Sequence, residues 1–337
     1  MAGYTQVWTP LDFEADGKQC DWLRLPFSTD LSGYGVVPIP VMCIRKGDGP
    51  TALLIAGSHG DEYEGQVALA RLSREIEGAD VRGRIIILPS LNLPAVEVGR
   101  RVSPLDDGNL NRSFPGNPIG APTEMIAHYV GTVLLPMADF VIDLHAGGRS
   151  TNYVPCALIR SGGSAEEKNK LIELATAFGA PVTSISDGSG GGGATTLSAV
   201  AQKLGVPALT AELGGCATLS RTGTVLAEQG LRRVLKLYGV FPEANTDPGP
   251  PTRFMRVRGR GAFVYAMRKG MFEPAADLGD VVQPGQIAGV IHAVDRPWDA
   301  PEPVVFSEGG MVACRRALAL TAPGDCLYKL LVDLDAD

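Results

Sequence analysis

The chain has 337 residues, 45% of them hydrophobic and 20% charged, with 42 Gly and 25 Pro. That balance belongs to a folded globular protein with many tight connections, long enough for one large core plus a smaller one. A formal net charge of −7 argues against nucleic-acid binding, which would need a basic face, and no run of 18 apolar residues is present to span a membrane.

The first 17 residues, MAGYTQVWTPLDFEADG, carry no basic segment followed by an apolar stretch, so no secretory signal is expected. Six Cys (20, 43, 156, 216, 314, 326) occur without a Cys-x-x-Cys pair. This fits a reducing, cytoplasmic location better than a disulfide framework or a zinc knuckle.

From about residue 34 to 240 the pattern alternates. Apolar runs at 51–57 (TALLIAG), 84–91 (RIIILPSL), 140–146 (FVIDLHA), 153–159 (YVPCALI) and 207–213 (PALTAEL) read as strands. Stretches at 64–77, 123–135 and 165–179 carry helical periodicity. Such alternation predicts an α/β fold whose mixed, mainly parallel sheet is flanked by helices. The segment 243–252 (EANTDPGPPT) is polar and Pro-rich, and a linker is expected there. The expected division is therefore a catalytic α/β domain over 1–245 and a smaller β-rich domain over 246–337.

Two of the four His residues end strand-like runs. His59, with Glu62 three residues on, sits where the run 51–57 gives way to a helix; His145 closes the run 140–144. Open α/β sheets place their chemistry outside the carboxyl ends of the strands. An imidazole at a strand end, a carboxylate one helical turn later and a second imidazole fill three zinc positions and leave a fourth for water. Either motif alone is weak, since a helix N-terminus also favours Glu62 and a His can simply end a strand. His128 reads as a helix-surface residue and His292 as structural.

Between the two His lies GRRVSPLDDGNLNRSFPG (99–116), too polar for a core and suited to an active-site loop. Arg100, Arg101 and Arg112 offer fixed positive charge, and Asn109 and Asn111 offer amide donors. A metal hydrolase needs both an oxyanion-stabilising cation and a fork-shaped clamp for a substrate carboxylate. Glu212 ends the run 207–211 and should emerge at the same edge as the two His. There it could accept a proton from water and return it to a leaving amine. Pairing with an Arg is the alternative. The Gly-rich stretch 184–196, with four consecutive Gly at 190–193, is either a lid over the substrate or a plain surface loop.

Taken in order, SHGDEYEG (58–65), NLNRSFPG (109–116), DLHAGG (143–148) and TAELGG (210–215) resemble the succinylglutamate desuccinylase/aspartoacylase family, relatives of the zinc carboxypeptidases. The resemblance covers roughly residues 35–330. It implies one zinc per chain on His59, Glu62 and His145, with Glu212 as general base and acid. It further implies that Arg101 polarises the scissile carbonyl and that Asn111 and Arg112 grip a substrate carboxylate. The wording around GSHGDEYEGQ and GRRVSPLDDGNLNRSFPG is similar to the branch acting on Nα-acetyl-L-2,4-diaminobutyrate in ectoine degradation. That resemblance implies a deacetylase for a small-molecule N-acyl amino acid. The alternatives are a deacylase of another acyl amino acid, a carboxypeptidase, or a non-catalytic binding protein. The expected partner is the small-molecule substrate, with no nucleic acid and no membrane, and a homodimer is the assembly considered. A side-chain ammonium would need an acidic partner, for which Glu64, Asp106, Asp107 and Asp187 are the candidates. Within the C-terminal part, LGDVVQPGQIAGVI (278–291) looks like a biotinyl/lipoyl hammerhead in architecture, but FSEGGMVACRR (306–316) offers no Lys for covalent attachment.

Overall fold

The computed structural model describes residues 4–188 and 193–334. An antiparallel hairpin, β1 (Gly17–Pro26) and β2 (Val36–Lys46), opens the chain and lies at one edge of a long mixed sheet. The sheet continues through β4 (Gly83–Leu88), β3 (Thr51–Ala56), β5 (Phe140–His145), β9 (Ala208–Glu212), β7 (Cys156–Arg160) and β8 (Val182–Ser186). The central pairs β4/β3, β3/β5 and β5/β9 are parallel, whereas β7 runs antiparallel to β9 and parallel to β8. The α/β architecture with a mainly parallel central sheet thus agrees with the alternation in the sequence. The run 153–159 divides into a short strand, β6 (Thr151–Tyr153), and β7.

The central strands are apolar on both faces because both faces are covered, as parallel sheets require. Their two-residue period sorts each strand between two cores. Ala52, Leu54 and Ala56 of β3, and Phe140, Ile142 and Leu144 of β5, join the core under α1 (Glu64–Glu75), α4 (Ala165–Phe178) and α6 (Arg221–Leu237). Leu53, Ile55 and Val141 face the other core, with α3 (Pro122–Tyr129) and α5 (Leu197–Lys203). The same alternation turns Asp143 and His145 to the face of Val141, and Thr210 and Glu212 to the face of Ala208.

Caps set the helix ends. Ser164 accepts the Glu167 N–H in a capping box at the start of α4, and Gly179 closes that helix at φ 70°, where a Cβ would be strained. Ser220 caps α6 through the Gly223 N–H. The remaining helix, α2 (Leu93–Glu97), is a single short turn behind the His59 segment.

The polar stretch 243–252 leads into β10 (Arg253–Arg256), which pairs in parallel with β8 and antiparallel with β18 (Cys326–Asp333). The main sheet therefore runs on into β16 (Gly310–Arg316) and β13 (Val281–Val282), with β11 (Phe263–Tyr265) beside β18 and β6 beside β16. A second sheet of β15 (Glu302–Val305), β14 (Ile287–His292), β12 (Gly270–Pro274) and β17 (Leu320–Thr321) faces it. Between them lies a separate core around Phe272, Phe306 and Tyr328. Tyr328 is fully buried, and its hydroxyl donates to carbonyls of Ala276 and Ala288 at 3.1 and 3.0 Å.

Gly65, in the first turn of α1, lets that helix lie directly on β5: a Cβ there would stand 2.4 Å from Leu144 Cβ and 3.2 Å from Ala56 Cβ. Gly65→Ala should therefore overpack this contact and destabilise the fold by about 1–3 kcal/mol. Urea denaturation should show a lowered midpoint with an unchanged m value.

Candidate active site

The carboxyl ends of β3, β5 and β9 deliver the predicted residues to one place. His59 follows β3, His145 ends β5, and Glu212 ends β9 directly opposite His145 in the parallel register. Glu62 stands two residues before α1. Its carboxylate bridges the two rings, with Oε1 2.7 Å from His59 Nδ1 and Oε2 2.8 Å from His145 Nδ1. The three ligand atoms lie within 4.8 Å of one another, and all three residues are buried.

The far side of each ring is held as well. His145 Nε2 lies 2.9 Å from Asp143 Oδ2 and His59 Nε2 lies 3.0 Å from Asn109 Oδ1. Both partners are acceptors, so each Nε2 donates and a neutral ring turns its Nδ1 lone pair toward Glu62. The distances from the Glu62 carboxylate to the two Nδ1 atoms call for positive charge there, carried either by a proton on Nδ1 or by a metal ion. The donor set suits zinc, and a carboxylate behind a ligating His is a recurrent second partner that fixes the tautomer.

Charge burial points the same way. Among the described residues the buried carboxylates are Asp61, Glu62, Glu64 and Asp143, all in or beside this triad. Burial alone would push the Glu62 carboxyl up, but the His59 and His145 imidazoles outweigh it and hold the group far below the usual carboxylate range. Burial disfavours a charged His145, yet Asp143 and Glu62 raise its pKa well above the ordinary imidazole value. Burial and the Glu62 carboxylate push Glu212 up to about 8, against the opposing pull of His145, Lys329 and Arg101. Its Oε2 is buried with no hydrogen-bond partner; the predicted alternative of an Arg ion pair is not formed.

The loop 99–116 folds over the triad. Gly60 N–H donates to the Arg100 carbonyl at 2.8 Å, and a Cβ at Gly60 would run into the Ala95 carbonyl at 1.9 Å. This close packing docks the loop and separates the two arginines. Arg101 Nη1 reaches 3.3 Å from Glu62 Oε1 and 3.4 Å from His59 Nδ1. Arg100 turns outward, 3.6 Å from Asp107. Asn109, expected as an amide donor, presents its oxygen to His59 instead. Asn111 has its Oδ1 occupied by the Leu197 N–H at 3.1 Å and keeps Nδ2 at the site, 3.3 Å from His145 Nε2. Arg112, at the rim, donates Nη1–H to the Asn111 carbonyl at 2.7 Å.

His59, Glu62, His145, Arg101, Asn111, Arg112 and Glu212 line one cavity of about 420 Å³. Its remaining wall shows what the sequence did not disclose. Lys329 reaches in from β18, with Nζ 5.9 Å from the Tyr153 ring centroid, and Arg160 enters from β7, its Nε donating to Gln202 at 2.9 Å. Lys329 is separated from the His motifs by a long stretch of chain and Arg160 lies a strand beyond His145, and the strand pairing brings both in. None of the four candidates for an ammonium partner lines the cavity. Glu64 is fully buried and accepts the Ser220 N–H; Asp106 holds Thr123; Asp107 lies on the surface. Ser186 and Gly188 line the wall, but Asp187 between them does not. In the Gly-rich stretch, residues 189–192 lie outside the described part. His128 is half-buried on α3, and His292 pairs with Glu273 at 2.8 Å on β14.

Comparison with known proteins agrees with this geometry. Residues 48–238 match the model of the succinylglutamate desuccinylase/aspartoacylase catalytic domain. The chain belongs to this family of deacylases. It is 39% identical over 320 residues to N-alpha-acetyl-L-2,4-diaminobutyric acid deacetylase of Halomonas elongata, covering 94% of this chain and 92% of that one. The ectoine utilization protein EutE (DoeB) of Ruegeria pomeroyi, solved with product bound, is 35% identical. It superposes with a TM-score of 0.93 over 98% of this chain and 99% of its own. A succinylglutamate desuccinylase/aspartoacylase of Rhodobacter sphaeroides, also 35% identical, gives 0.91 over 98% and 100%. Both superpositions extend through the β-rich C-terminal part.

Asp143→Ala removes the acceptor that fixes the His145 tautomer. It should weaken zinc binding by about 10- to 100-fold, as measured by competition with a chromophoric chelator.

Proposed function

We propose that this protein is a zinc-dependent deacetylase that hydrolyses Nα-acetyl-L-2,4-diaminobutyrate to acetate and L-2,4-diaminobutyrate. The observation carrying this reading is the convergence of His59, Glu62, His145, Arg101 and Glu212 on one cavity, in a chain so similar to a deacetylase of that name. The six cysteines are all free, which supports placing the enzyme in the cytoplasm.

His59, Glu62 and His145 would hold the zinc ion, which supplies Lewis acidity, making water more acidic at neutral pH and drawing electron density from a carbonyl. Glu212 is the proton carrier. Its ionised form is favoured where a cation held by the triad offsets the Glu62 charge, which adds to burial in raising the Glu212 pKa. The unpartnered buried oxygen then accepts a proton from the attacking water, and the carboxyl returns that proton to the amine nitrogen as the C–N bond breaks. Arg101, whose guanidinium faces the triad, stabilises negative charge developing on the carbonyl oxygen. Arg112 and the Asn111 amide nitrogen hold the substrate carboxylate, so that attack occurs within a fixed complex. Around the substrate side chain the described wall offers hydroxyls of Ser186, Thr196, Ser198 and Thr210 in place of a carboxylate. Such neutral acceptors can receive N–H bonds from a substrate ammonium.

Acetate release from the proposed substrate should depend on about one zinc per chain, cease after chelation, and return when zinc is restored. N-acetylaspartate and N-succinylglutamate should turn over far more slowly. Failure of zinc-loaded protein to deacetylate the first compound overturns the substrate assignment. Glu212→Gln should keep the zinc content and lower kcat by about 10²- to 10⁴-fold; an unchanged kcat excludes the proton-carrying role.

A further inference from the structure

We propose that Asp61 is a positioning residue: it ties the His59–Glu62 segment to the loop after His145 and so sets the separation of the two halves of the metal site. The proposal rests on the metal reading of the triad and not on the identity of the substrate.

Asp61 lies between the two ligands of the first segment, yet its side chain is absent from the cavity wall. It is buried, at 4% exposure, and its Oδ2 accepts the Arg149 N–H at 2.8 Å. Gly148 packs on the same carboxylate. A Cβ there would stand 2.8 Å from Asp61 Oδ2, and the backbone at φ 55° favours glycine. The loop that Asp61 grips follows His145 directly and is held on its other side by the end of β9. Leu213 N–H donates to the His145 carbonyl at 3.0 Å, and Gly147 N–H to the Gly214 carbonyl at 3.0 Å. The other bond from the first segment to this loop is Ala146 N–H to Glu62 Oε2, at 3.1 Å. That oxygen also faces His145 and is needed for the cation. Asp61 thus fixes the interval between the segments and leaves the Glu62 carboxylate to the ligand role.

The test is zinc affinity of the metal-stripped full chain, by chelator competition, together with the visible absorption spectrum of the cobalt(II) form. Asp61→Ala should bind zinc about 10- to 100-fold more weakly and shift the cobalt bands. Asp61→Asn keeps an oxygen for the Arg149 N–H and should restore most of the affinity and the wild-type spectrum. Wild-type affinity and spectrum in Asp61→Ala overturn the proposal. So does an Asn variant as impaired as the Ala variant, because charge and not the tether would then be responsible. If Asp61→Ala does not fold, Gly148→Ala disturbs the same bond from the loop side; unchanged zinc affinity there overturns the proposal equally. No substrate enters these measurements, so an error in the substrate assignment leaves their outcome untouched.

Discussion

The constraint on which the site depends is negative charge buried with two imidazoles at the ends of apolar strands. Carboxylates seldom enter a protein interior unless a counter-charge meets them, because desolvation of an unpaired ion outweighs most of what a single contact returns. Four of them cluster here, and the nearest fixed cation, Arg101, is 44% exposed at the side chain. His59, Glu62 and His145 form a group that could hold a metal ion, and such a cation would supply what the protein side chains do not. Each surrounding bond then has a direction: Asp143 and Asn109 hold the rings from behind, and Asp61 holds the loop.

The apolar scaffold carries this charge because the two problems are separated along each strand. Residues 140–142 of β5 and 208–209 of β9 are packed on the cores, and polarity begins only in the last residues, on one face. The rule that ligands bind beyond the carboxyl ends of open α/β sheets follows from the same economy of burial. Hydrogen bonding satisfies the strand backbone to its end, and the following loop is the first place where polar side chains can converge.

How much of this was legible in the sequence depended on distance along the chain. The strand runs 51–57 and 140–146 are continuous apolar stretches that only a doubly covered strand tolerates, so β3 and β5, and with them His59 and His145, were readable. Glu212 was readable for the same reason. The reversed direction of β7 was not, because a short apolar run carries no sign of its polarity. The choice between Arg100 and Arg101 turned on a backbone bond from Gly60 that no local pattern encodes. Asn109 was read as a donor because its amide can serve either way; the tautomer of His59 decides, and that is a property of the assembled site. Lys329 and Arg160 had no signal at all, since a single cation in a strand is ordinarily solvated.

The strand ladder that passes without a break from β8 through β10 to β18 has a mechanical meaning. Two bodies joined by a loop can hinge, but two bodies sharing hydrogen-bonded strands bend only by stretching the bonds between them. The wall that carries Lys329 is thus braced against the strand ends that carry the triad, in the manner of a rib fixed to a spine. The frame of the pocket is thereby continuous with the strand ends that carry the triad. Changes in selectivity over the history of such a chain would come from exchanging single side chains along β18, β7 and the loops, with the frame left as it is.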